Sequence, residues 1–254
     1  MQPEYIKQLY AEFEAIQHSD QDPAPKRLSE TLAYVIRKAI LAGVLPQGTP
    51  IRERTLAEEL NVSRTPVREA LFVLQGEGLI TLEHNRSGCV AYFSLEDIKN
   101  IYSLRENLES FSAEYAANNA LKNKDGAQFE RLREAHARYQ RLAPDSSPLE
   151  QAQADLEFHE AILAASGNKM LMTITRQVLA VTITHRSRYA YTEEQLKQSK
   201  VQHESIFNAI MSGNDALAKW LMAAHVGKSS DLAMHNLAQG SAKAGIAAGA
   251  AAPS

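Results

Sequence analysis

Residues 56–79 read LAEELNVSRTPVREALFVLQGEGL, and this stretch decides the fold of the N-terminal third of the chain. It holds two short helical patterns separated only by Asn61-Val62-Ser63. Asn61 tolerates the left-handed conformation that ends a helix. Thr65 and Pro66 are suited to be the N-cap and the first position of the second helix. So short a turn between two helices predicts a helix-turn-helix. The inner face of the second helix is formed by Val67, Ala70, Leu71 and Leu74.

The polar side chains of this motif point to DNA. Arg64, Thr65 and Arg68 lie at the N-terminal end of the second helix, which is the end that enters the major groove in such motifs. Arginine can bind guanine through two hydrogen bonds, or pair with a phosphate. Arg54, one helix upstream, is placed to reach the same groove. An ordinary helical hairpin with solvated arginines is the alternative interpretation.

A predicted β-hairpin follows the two helices. Residues 79–84 and 89–93 have the composition of strands, and Asn85-Arg86-Ser87-Gly88 between them is a typical turn sequence. Arg86 at the tip is predicted to enter the adjacent minor groove, and Gly88 to let the backbone approach the DNA closely. A helix-turn-helix with such a wing makes the DNA-binding interpretation much stronger than the helical hairpin.

At these residues the chain resembles the GntR family of bacterial regulators. The match covers about residues 28–93, and its most specific part is the segment SRTPVREAL at 63–71. The resemblance implies a winged helix that binds a short palindromic operator as a dimer. It assigns DNA contacts to Arg54, Arg64, Thr65 and Arg68, and to the wing around Arg86 and Gly88.

The rest of the chain is predicted to be helical, so the fold class is mainly α. Residues 1–25 form a helical extension and a linker, and the apolar stripe of the helix at 4–17 must pack somewhere, with the helical domain and a dimer partner as the candidates. Residues 26–93 form the winged helix-turn-helix, and 94–236 a bundle of about six helices. Ser94 with Asp97, Ser147 followed by Pro148, and the capping box Thr192–Gln195 predict the starts of three of these helices. The Ala- and Gly-rich tail at 237–254 is predicted to be disordered.

Composition bounds the class of protein. Apolar residues make up 44% of the chain and charged residues 22%, as in globular proteins. No apolar run is long enough to cross a membrane, and the N-terminus lacks the pattern of a signal peptide. The single cysteine, Cys89, fits a reducing cytoplasm. Residues 26–93 carry two more basic than acidic side chains although the whole chain has a net charge of −3, which suits a DNA-binding head on an acidic body.

Four residues of the helical part form a candidate metal site. Asp155 and His159 are four apart on one predicted helix face, and His203 and His225 lie on the two following helices. One carboxylate and three imidazoles can hold a divalent cation and leave positions open for a ligand. The spacing alone leaves open that these are unrelated core and surface groups.

The helical part also resembles a known family, the FCD ligand-binding domain of FadR-type GntR regulators, over about residues 95–235. In that family an Asp-x-x-x-His pair and two later histidines hold a metal, and here they correspond to Asp155, His159, His203 and His225. The resemblance implies a divalent ion, with zinc or nickel favoured over manganese or iron. It also makes Arg105 the binder of a ligand carboxylate. On its own helix Arg105 lies on the inward face, where pairing with a structural acid such as Glu109 is the alternative.

We therefore predict a cytoplasmic, homodimeric transcription regulator, a repressor, that is not an enzyme. A small organic acid at the metal site would control its affinity for double-stranded operator DNA. His185, Arg186 and Arg188 are further candidates for the pocket lining. A direct metal-responsive regulator and, with less support, a metal-dependent hydrolase are the alternatives. His159-Glu160 lacks the second histidine of a His-Glu-x-x-His hydrolase helix.

Overall fold

The computed structural model describes residues 9–11, 13, 27–41, 43–82, 87–186 and 191–250. The chain divides into two compact units, Met1–Tyr92 and Phe93–Ser254. The structure is mainly helical, with a winged helix-turn-helix followed by a helical bundle, which confirms the predicted fold class. No described helix is both long enough and apolar enough to cross a membrane.

Between residues 27 and 92 the described part of the first unit has three helices and a small wing. The elements are α1 (Leu28–Leu41), β1 (Pro50–Arg52), α2 (Glu53–Glu59), α3 (Arg64–Gly76), β2 (Ile80–Leu82) and β3 (Ser87–Val90). The sheet is antiparallel in the order β1-β3-β2, and Ile51 and Leu82 both lie opposite Gly88. Strand β1 was missed because three residues are too few to show a period. Pro50 is tolerated there because it is the first residue of an edge strand.

The turn between α2 and α3 differs in one detail from the prediction. Asn61 has a positive φ of 49°, as predicted for a residue that ends a helix. The N-cap of α3 is Ser63, however, and the helix begins at Arg64, so Thr65 and Pro66 are its second and third residues. Proline is accepted there because the first four N–H groups of a helix have no acceptor within it. Arg64 and Thr65 both remain in the first turn.

The N-terminal segment packs on the winged helix. The side chains of Leu9 and Phe13 are 1% and 2% exposed and belong to the same apolar cluster as Leu32 and Ile36 of α1. The prediction that this stripe packs on the helical domain or across a dimer was therefore wrong for these two residues. The surface on which a helix packs is set by tertiary contacts, and the amphipathic pattern of the helix does not specify it. Tyr10 and Ala11 are also described and are exposed, and the remaining residues of 4–17 lie outside the described part of the chain.

Gly88 is required by the packing of the sheet. A Cβ atom at this position would lie 2.7 Å from the carbonyl oxygen of Thr81 and 2.8 Å from Cδ2 of Leu82, both on the neighbouring strand β2. Gly88→Ala is expected to destabilise the first unit by about 1–3 kcal/mol, since a backbone oxygen cannot move away as a side chain can. Urea unfolding followed by circular dichroism measures this change.

Gly76→Ala is the matched control, because a Cβ there meets no heavy atom within 4 Å. Gly76 is the last residue of α3, so the control variant should be as stable as the wild type or slightly more stable. Equal unfolding midpoints for Gly88→Ala and the wild type would contradict the packing explanation.

The second unit consists of six described helices. They are α4 (Leu95–Asn123), α5 (Ala127–Gln140), α6 (Pro148–Ala165), α7 (Lys169–Arg186), α8 (Glu193–Met211) and α9 (Asp215–Ala250). Helices α4, α6 and α8 begin at capping boxes formed by Ser94 with Asp97, Ser147 with Glu150 and Thr192 with Gln195. All three starts were predicted from sequence, because a capping box is a local pattern.

A core between α4, α6, α8 and α9 fixes the inner faces of these helices. Alanines on the buried face of α4 leave little side-chain volume, so its neighbours can approach closely. The larger core side chains are contributed by the surrounding helices and include Phe129, Phe158, Ile206, Ile210, Met222 and Val226. This core is the scaffold of the candidate metal centre.

The C-terminal tail differs from the prediction. Helix α9 continues to Ala250, through most of the segment 237–254 that was predicted to be disordered. Disorder was predicted because the Ala- and Gly-rich composition cannot build an apolar core, but a helix can form without one. Once Asp215 has started a helix, alanine-rich sequence extends it readily, because adding residues costs far less than nucleation and alanine has the highest helix propensity.

Candidate metal centre and DNA-binding surface

Three helices bring the four predicted metal ligands together. Asp155 and His159 lie on α6, His203 on α8 and His225 on α9. One ligand atom from each lies within 4.8 Å of all the others. Oδ1 of Asp155 is 3.3 Å from Nε2 of His203 and 3.9 Å from Nε2 of His159. The three imidazoles are at most 3% exposed. These four residues thus form one cluster in the bundle core.

Each imidazole is oriented by an acceptor at its other nitrogen. Nδ1 of His203 donates to the carbonyl oxygen of Ser199 at 2.8 Å, and Nδ1 of His225 donates to Oε1 of Gln202 at 2.9 Å. Nδ1 of His159 contacts Oε2 of Glu109. With Nδ1 protonated in all three rings, each Nε2 lone pair is free to bind a cation. Such outer partners are the usual support of metal-binding histidines.

The inner atoms of the cluster fit a bound cation. Among the described residues, Oδ1 of Asp155 and the Nε2 atoms of His159 and His203 are buried without a hydrogen-bond partner. Buried polar atoms left unpaired destabilise a protein, so such groups are nearly always satisfied. A divalent ion bound by nitrogen and oxygen donors would satisfy all of them at once. The donor set suits zinc and other first-row transition metals.

The charge state of the cluster also suits a metal. Burial lowers the pKa of His203 below its ordinary value, and burial together with the neighbouring His203 and His159 lowers the pKa of His225 well below it. Both rings are therefore neutral near pH 7. Burial alone would raise the pKa of Asp155, but the close contact with His203 and the neighbouring imidazoles of His159 and His225 outweigh it and lower this pKa strongly. Neutral imidazoles and an ionised carboxylate are the forms that bind metals.

Arg105 lies next to this cluster in a buried ion pair. Its Nε donates to Oε1 of Glu109 at 2.6 Å, and both side chains are 4% exposed. The guanidinium lies 5.1 Å from the centre of the Tyr102 ring. Burial would raise the pKa of Glu109, but Arg105 and His159 together lower it to about 2. Glu109 is therefore a carboxylate that joins Arg105 to His159, a candidate metal ligand, and this role was not predicted from the sequence.

Glu109→Gln is expected to weaken zinc binding by about tenfold, because an amide is a poorer acceptor for the Nδ1–H of His159 and leaves that imidazole less basic. Competition titration against a chromogenic zinc chelator measures the change. Glu114→Gln on the same helix is the control. Glu114 is partly exposed and pairs with Lys219 at 2.7 Å, away from the cluster. Equal zinc affinity in both variants would mean that Glu109 pairs with Arg105 but does not support zinc binding through His159.

The predicted DNA-binding residues lie in different environments. Arg64 and Thr65 are exposed in the first turn of α3, and Arg64 forms no ion pair within the described part of the chain. Arg54 is exposed and pairs with Glu58 on its own helix at 2.7 Å. Arg68 instead forms two-pronged hydrogen bonds of 3.0–3.2 Å with Glu53 at the start of α2. Its side chain is held by the domain itself.

The wing residues are only partly described. Gly88 is buried in the sheet, where packing against β2 accounts for the glycine without a DNA contact. Arg86 lies outside the described residues, as do the side chains of His185, Arg186 and Arg188.

A second ion pair of the first unit joins α1 to the end of α3. Arg37 of α1 forms a bidentate ion pair of 2.5 and 2.8 Å with Glu77, the residue that follows α3. Glu77 therefore ties the end of α3 to α1.

Comparison with family models covers most of both units. The model described as the FCD domain matches residues 100–228, and the model described as bacterial regulatory proteins of the gntR family matches residues 28–90. The first match includes all four clustered residues and Arg105, and the second includes α1 to β3. The two matches follow each other along the chain in the order of the two structural units.

Curated relatives are similar over most of their length. The gluconate operon transcriptional repressor of Bacillus subtilis is 30% identical over 73% of this chain and 76% of its own. The probable D-xylose utilization operon transcriptional repressor of Paenarthrobacter nicotinovorans is 28% identical over 81% and 90%. The Glc operon transcriptional activator of Escherichia coli K12 is 29% identical over 78% and 86%.

Solved structures share the fold. The structure of E. coli McbR/YncC superposes with a TM-score of 0.68 at 19% identity, and covers 83% of this chain and 99% of its own. A putative GntR regulator from Rhodococcus sp. RHA1 gives 0.65 at 20% identity, with 82% and 97% covered. At these identities the likeness supports the fold and no finer property.

Proposed function

Because the chain belongs to the GntR family of bacterial transcription regulators and carries an FCD domain, we propose that it is a cytoplasmic operator-binding repressor controlled by a small carboxylate. The observation that carries the proposal is the convergence of Asp155, His159, His203 and His225 beside the buried Arg105. A metal and a guanidinium in one buried site can bind a carboxylate. The unit with the helix-turn-helix supplies the contact with DNA.

The DNA contact is assigned to the first turn of α3 and to the wing. Arg64 and Thr65 are exposed where the helix N-terminus presents unpaired N–H groups, which favour phosphate. Arg54 and the wing residues Arg86 and Gly88 complete the proposed surface. Arg68 reaches DNA in this proposal only through the atoms that Glu53 leaves free, so its larger contribution is to hold α2 against α3.

The metal would be held by Nε2 of the three histidines and by the carboxylate of Asp155, with zinc or nickel favoured over manganese or iron. When bound, it would supply a Lewis-acidic centre for one ligand oxygen. The hydrogen bond from Arg105 to Glu109 uses Nε, so the two terminal amino groups of Arg105 are the donors proposed for the ligand carboxylate. The name of the gluconate operon repressor is consistent with an organic acid as effector.

A homodimer is part of the proposal. Helices α4 and α9 expose seven large apolar side chains, and five of them, each at least 39% exposed, are proposed as the dimer surface. Lys219 of α9 pairs with Glu114 of α4 near this surface. Monomeric soluble proteins seldom leave such a surface uncovered. A second copy of the chain is the proposed cover, because a palindromic operator requires two DNA-binding units. The five residues are Leu104, Phe111, Tyr115, Leu217 and Trp220.

The choice of repressor over activator rests on the relatives, two of which are named repressors and one an activator. A direct metal-responsive regulator is the second candidate. It is favoured by the cluster itself, because four protein ligands close together can bind an ion without any organic molecule.

Operator release by an organic acid tests the proposal. A duplex selected from a random pool by the zinc-loaded protein serves as operator, and gluconate, glycolate and lactate are titrated against the complex. One acid is expected to weaken operator binding about tenfold, a typical allosteric coupling, in zinc-loaded but not in zinc-free protein. Fluorescence anisotropy measures the affinity. Release that follows zinc concentration without any acid would favour the metal sensor, and insensitivity to both would contradict both proposals.

A further inference from the structure

A small polar cavity lies between α8 and α9, on the outer side of the metal cluster. Its volume is about 200 Å³, and the ring of His225 forms part of its wall. Tyr191 and Leu232 contribute apolar surface. Three amides, two hydroxyls and one ammonium make up its polar lining: Gln195, Gln198, Gln202, Ser199, Ser229 and Lys228. Arg105, Asp155, His159 and His203 are not among the described lining residues, so this cavity shares only His225 with the site proposed for the effector.

The lining selects the charge of a ligand. Lys228 is the only charged side chain among the described lining residues, and no carboxylate is present to neutralise it there. Lys228 is exposed, and its Nζ donates to Oε1 of Gln198, also exposed, at 2.8 Å, which places the ammonium on the solvent side of the cavity and uses one of its three N–H groups. The amides and hydroxyls can both donate and accept hydrogen bonds. The chemistry therefore suits a small anion that also carries hydroxyl groups.

The volume limits the size of this ligand. Liquid water occupies about 30 Å³ per molecule, so the cavity holds the equivalent of about seven waters. It is smaller than the pockets that bind drug-sized molecules. A hydroxy acid of three or four carbons is the class that satisfies both size and charge, and glycerate, with one carboxylate and two hydroxyls, is the simplest probe.

The cavity wall also supplies two of the hydrogen-bond acceptors that orient the metal ligands. Oε1 of Gln202 accepts from Nδ1 of His225, and the carbonyl oxygen of Ser199 accepts from Nδ1 of His203. A ligand that engages the amide of Gln202 competes with or polarises its bond to His225. Changes in such outer partners alter metal affinity by about ten- to 100-fold when they are removed by mutation.

We propose that this cavity is a second binding site, specific for a small hydroxycarboxylate, and that its occupancy changes metal affinity through Gln202 and His225. The binding itself depends only on the cavity lining. The coupling to the metal rests on the proposed function.

The binding is tested in the Asp155→Ala variant, in which a metal-bound acid cannot contribute. Isothermal titration with glycerate is expected to detect binding that Lys228→Met weakens at least about tenfold, a charge-assisted contact being lost. Lys219→Met is the matched control on the same helix, because Lys219 pairs with Glu114 away from the cavity. Chelator-treated protein with Asp155 intact repeats the measurement if the variant is unfolded. Absence of binding at about 20 mM glycerate, a concentration high enough to detect a weak, roughly millimolar dissociation constant, would overturn the site. Equal binding of glycerate by Lys228→Met and the unsubstituted cavity would also overturn it.

The coupling is tested separately by zinc competition titration with and without glycerate. With Asp155 intact, glycerate is expected to change zinc affinity by about fivefold or more, and Lys228→Met to abolish the change. A change that persists in Lys228→Met would place the effect at the metal itself and overturn the coupling. If the protein binds no zinc at all, the proposed function and the coupling fail together, while the binding result in the Asp155→Ala variant still decides the site.

Discussion

Asp155→Asn is expected to weaken zinc binding by more than about 100-fold, beyond the ten- to 100-fold effect of losing an outer partner. Asp155 supplies the only carboxylate of the four-residue cluster, and its Oδ1 is the atom that lies near both His159 and His203. Asparagine has the same shape but offers a neutral oxygen to the ion. Three neutral imidazoles would then have to hold a divalent cation in a buried site without a compensating charge, which is unfavourable.

Two measurements check this expectation. Metal analysis of the purified proteins should find bound metal in the wild type and little in Asp155→Asn. Calorimetry should show that zinc raises the melting temperature of the wild type only, because a ligand at 100 times its dissociation constant stabilises a fold by about 2.7 kcal/mol. Glu157→Gln, two residues along α6, is the control, since Glu157 only forms an exposed ion pair with Arg138. Equal metal content in all three proteins would remove Asp155 from the ligand set.

The parts of the fold that were predicted correctly depend on short-range patterns. The starts of α4, α6 and α8 are capping boxes within four residues, and the positive φ of Asn61 follows from a turn of three. Strand β1 exists only because Pro50–Arg52 pairs with β3, about 40 residues later. Leu9 and Phe13 likewise find their place through the core of α1. Contacts of this range leave no periodic trace in the sequence.

The same distinction applies to the candidate metal centre. The Asp155–His159 spacing is visible on one helix, and His203 and His225 were candidates on later helices that the resemblance to the FCD domain joined to it. The outer partners were missed because each joins residues far apart in sequence: Glu109 reaches His159 from another helix, and Gln202 reaches His225 across 23 positions. Glu109 could be seen from sequence only as the residue four after Arg105, a spacing typical of an ordinary surface ion pair.

The motif residues of the first unit divide between folding and recognition. Arg68 and Glu53, and Arg37 and Glu77, form ion pairs that tie α3 to α2 and to α1. Arg68 was predicted from sequence to contact DNA, but no local rule assigns Arg68 and Arg37 their acidic partners 15 and 40 residues away. Arg64 is left as the exposed arginine of the first turn of α3 without an ion pair among the described residues. It is therefore the residue whose loss should affect DNA most and stability least.

Arg64→Ala is expected to weaken operator binding by up to about 100-fold, equivalent to losing a bidentate contact to a base worth about 1–3 kcal/mol. Its side chain is exposed at the N-terminus of α3, so the variant should fold as the wild type does. Fluorescence anisotropy with the selected operator and with a scrambled duplex measures the change. Loss confined to the operator indicates base reading, and equal loss on both duplexes, with a reduced dependence on salt, indicates a phosphate contact.

Arg131→Ala is the control for loss of one positive charge, because Arg131 belongs to α5 and pairs with Glu160 in the helical unit. Arg68→Ala is the comparison variant, because it is expected to affect both the folding of the first unit and its binding to the operator. Removing Arg68 leaves Glu53 without its partner, so this variant should lower the unfolding midpoint as well as operator affinity. Arg64→Ala should lower operator affinity alone. If Arg64→Ala binds both duplexes as tightly as Arg131→Ala does, the first turn of α3 is not the recognition surface, and the proposed orientation of the helix-turn-helix on DNA is wrong.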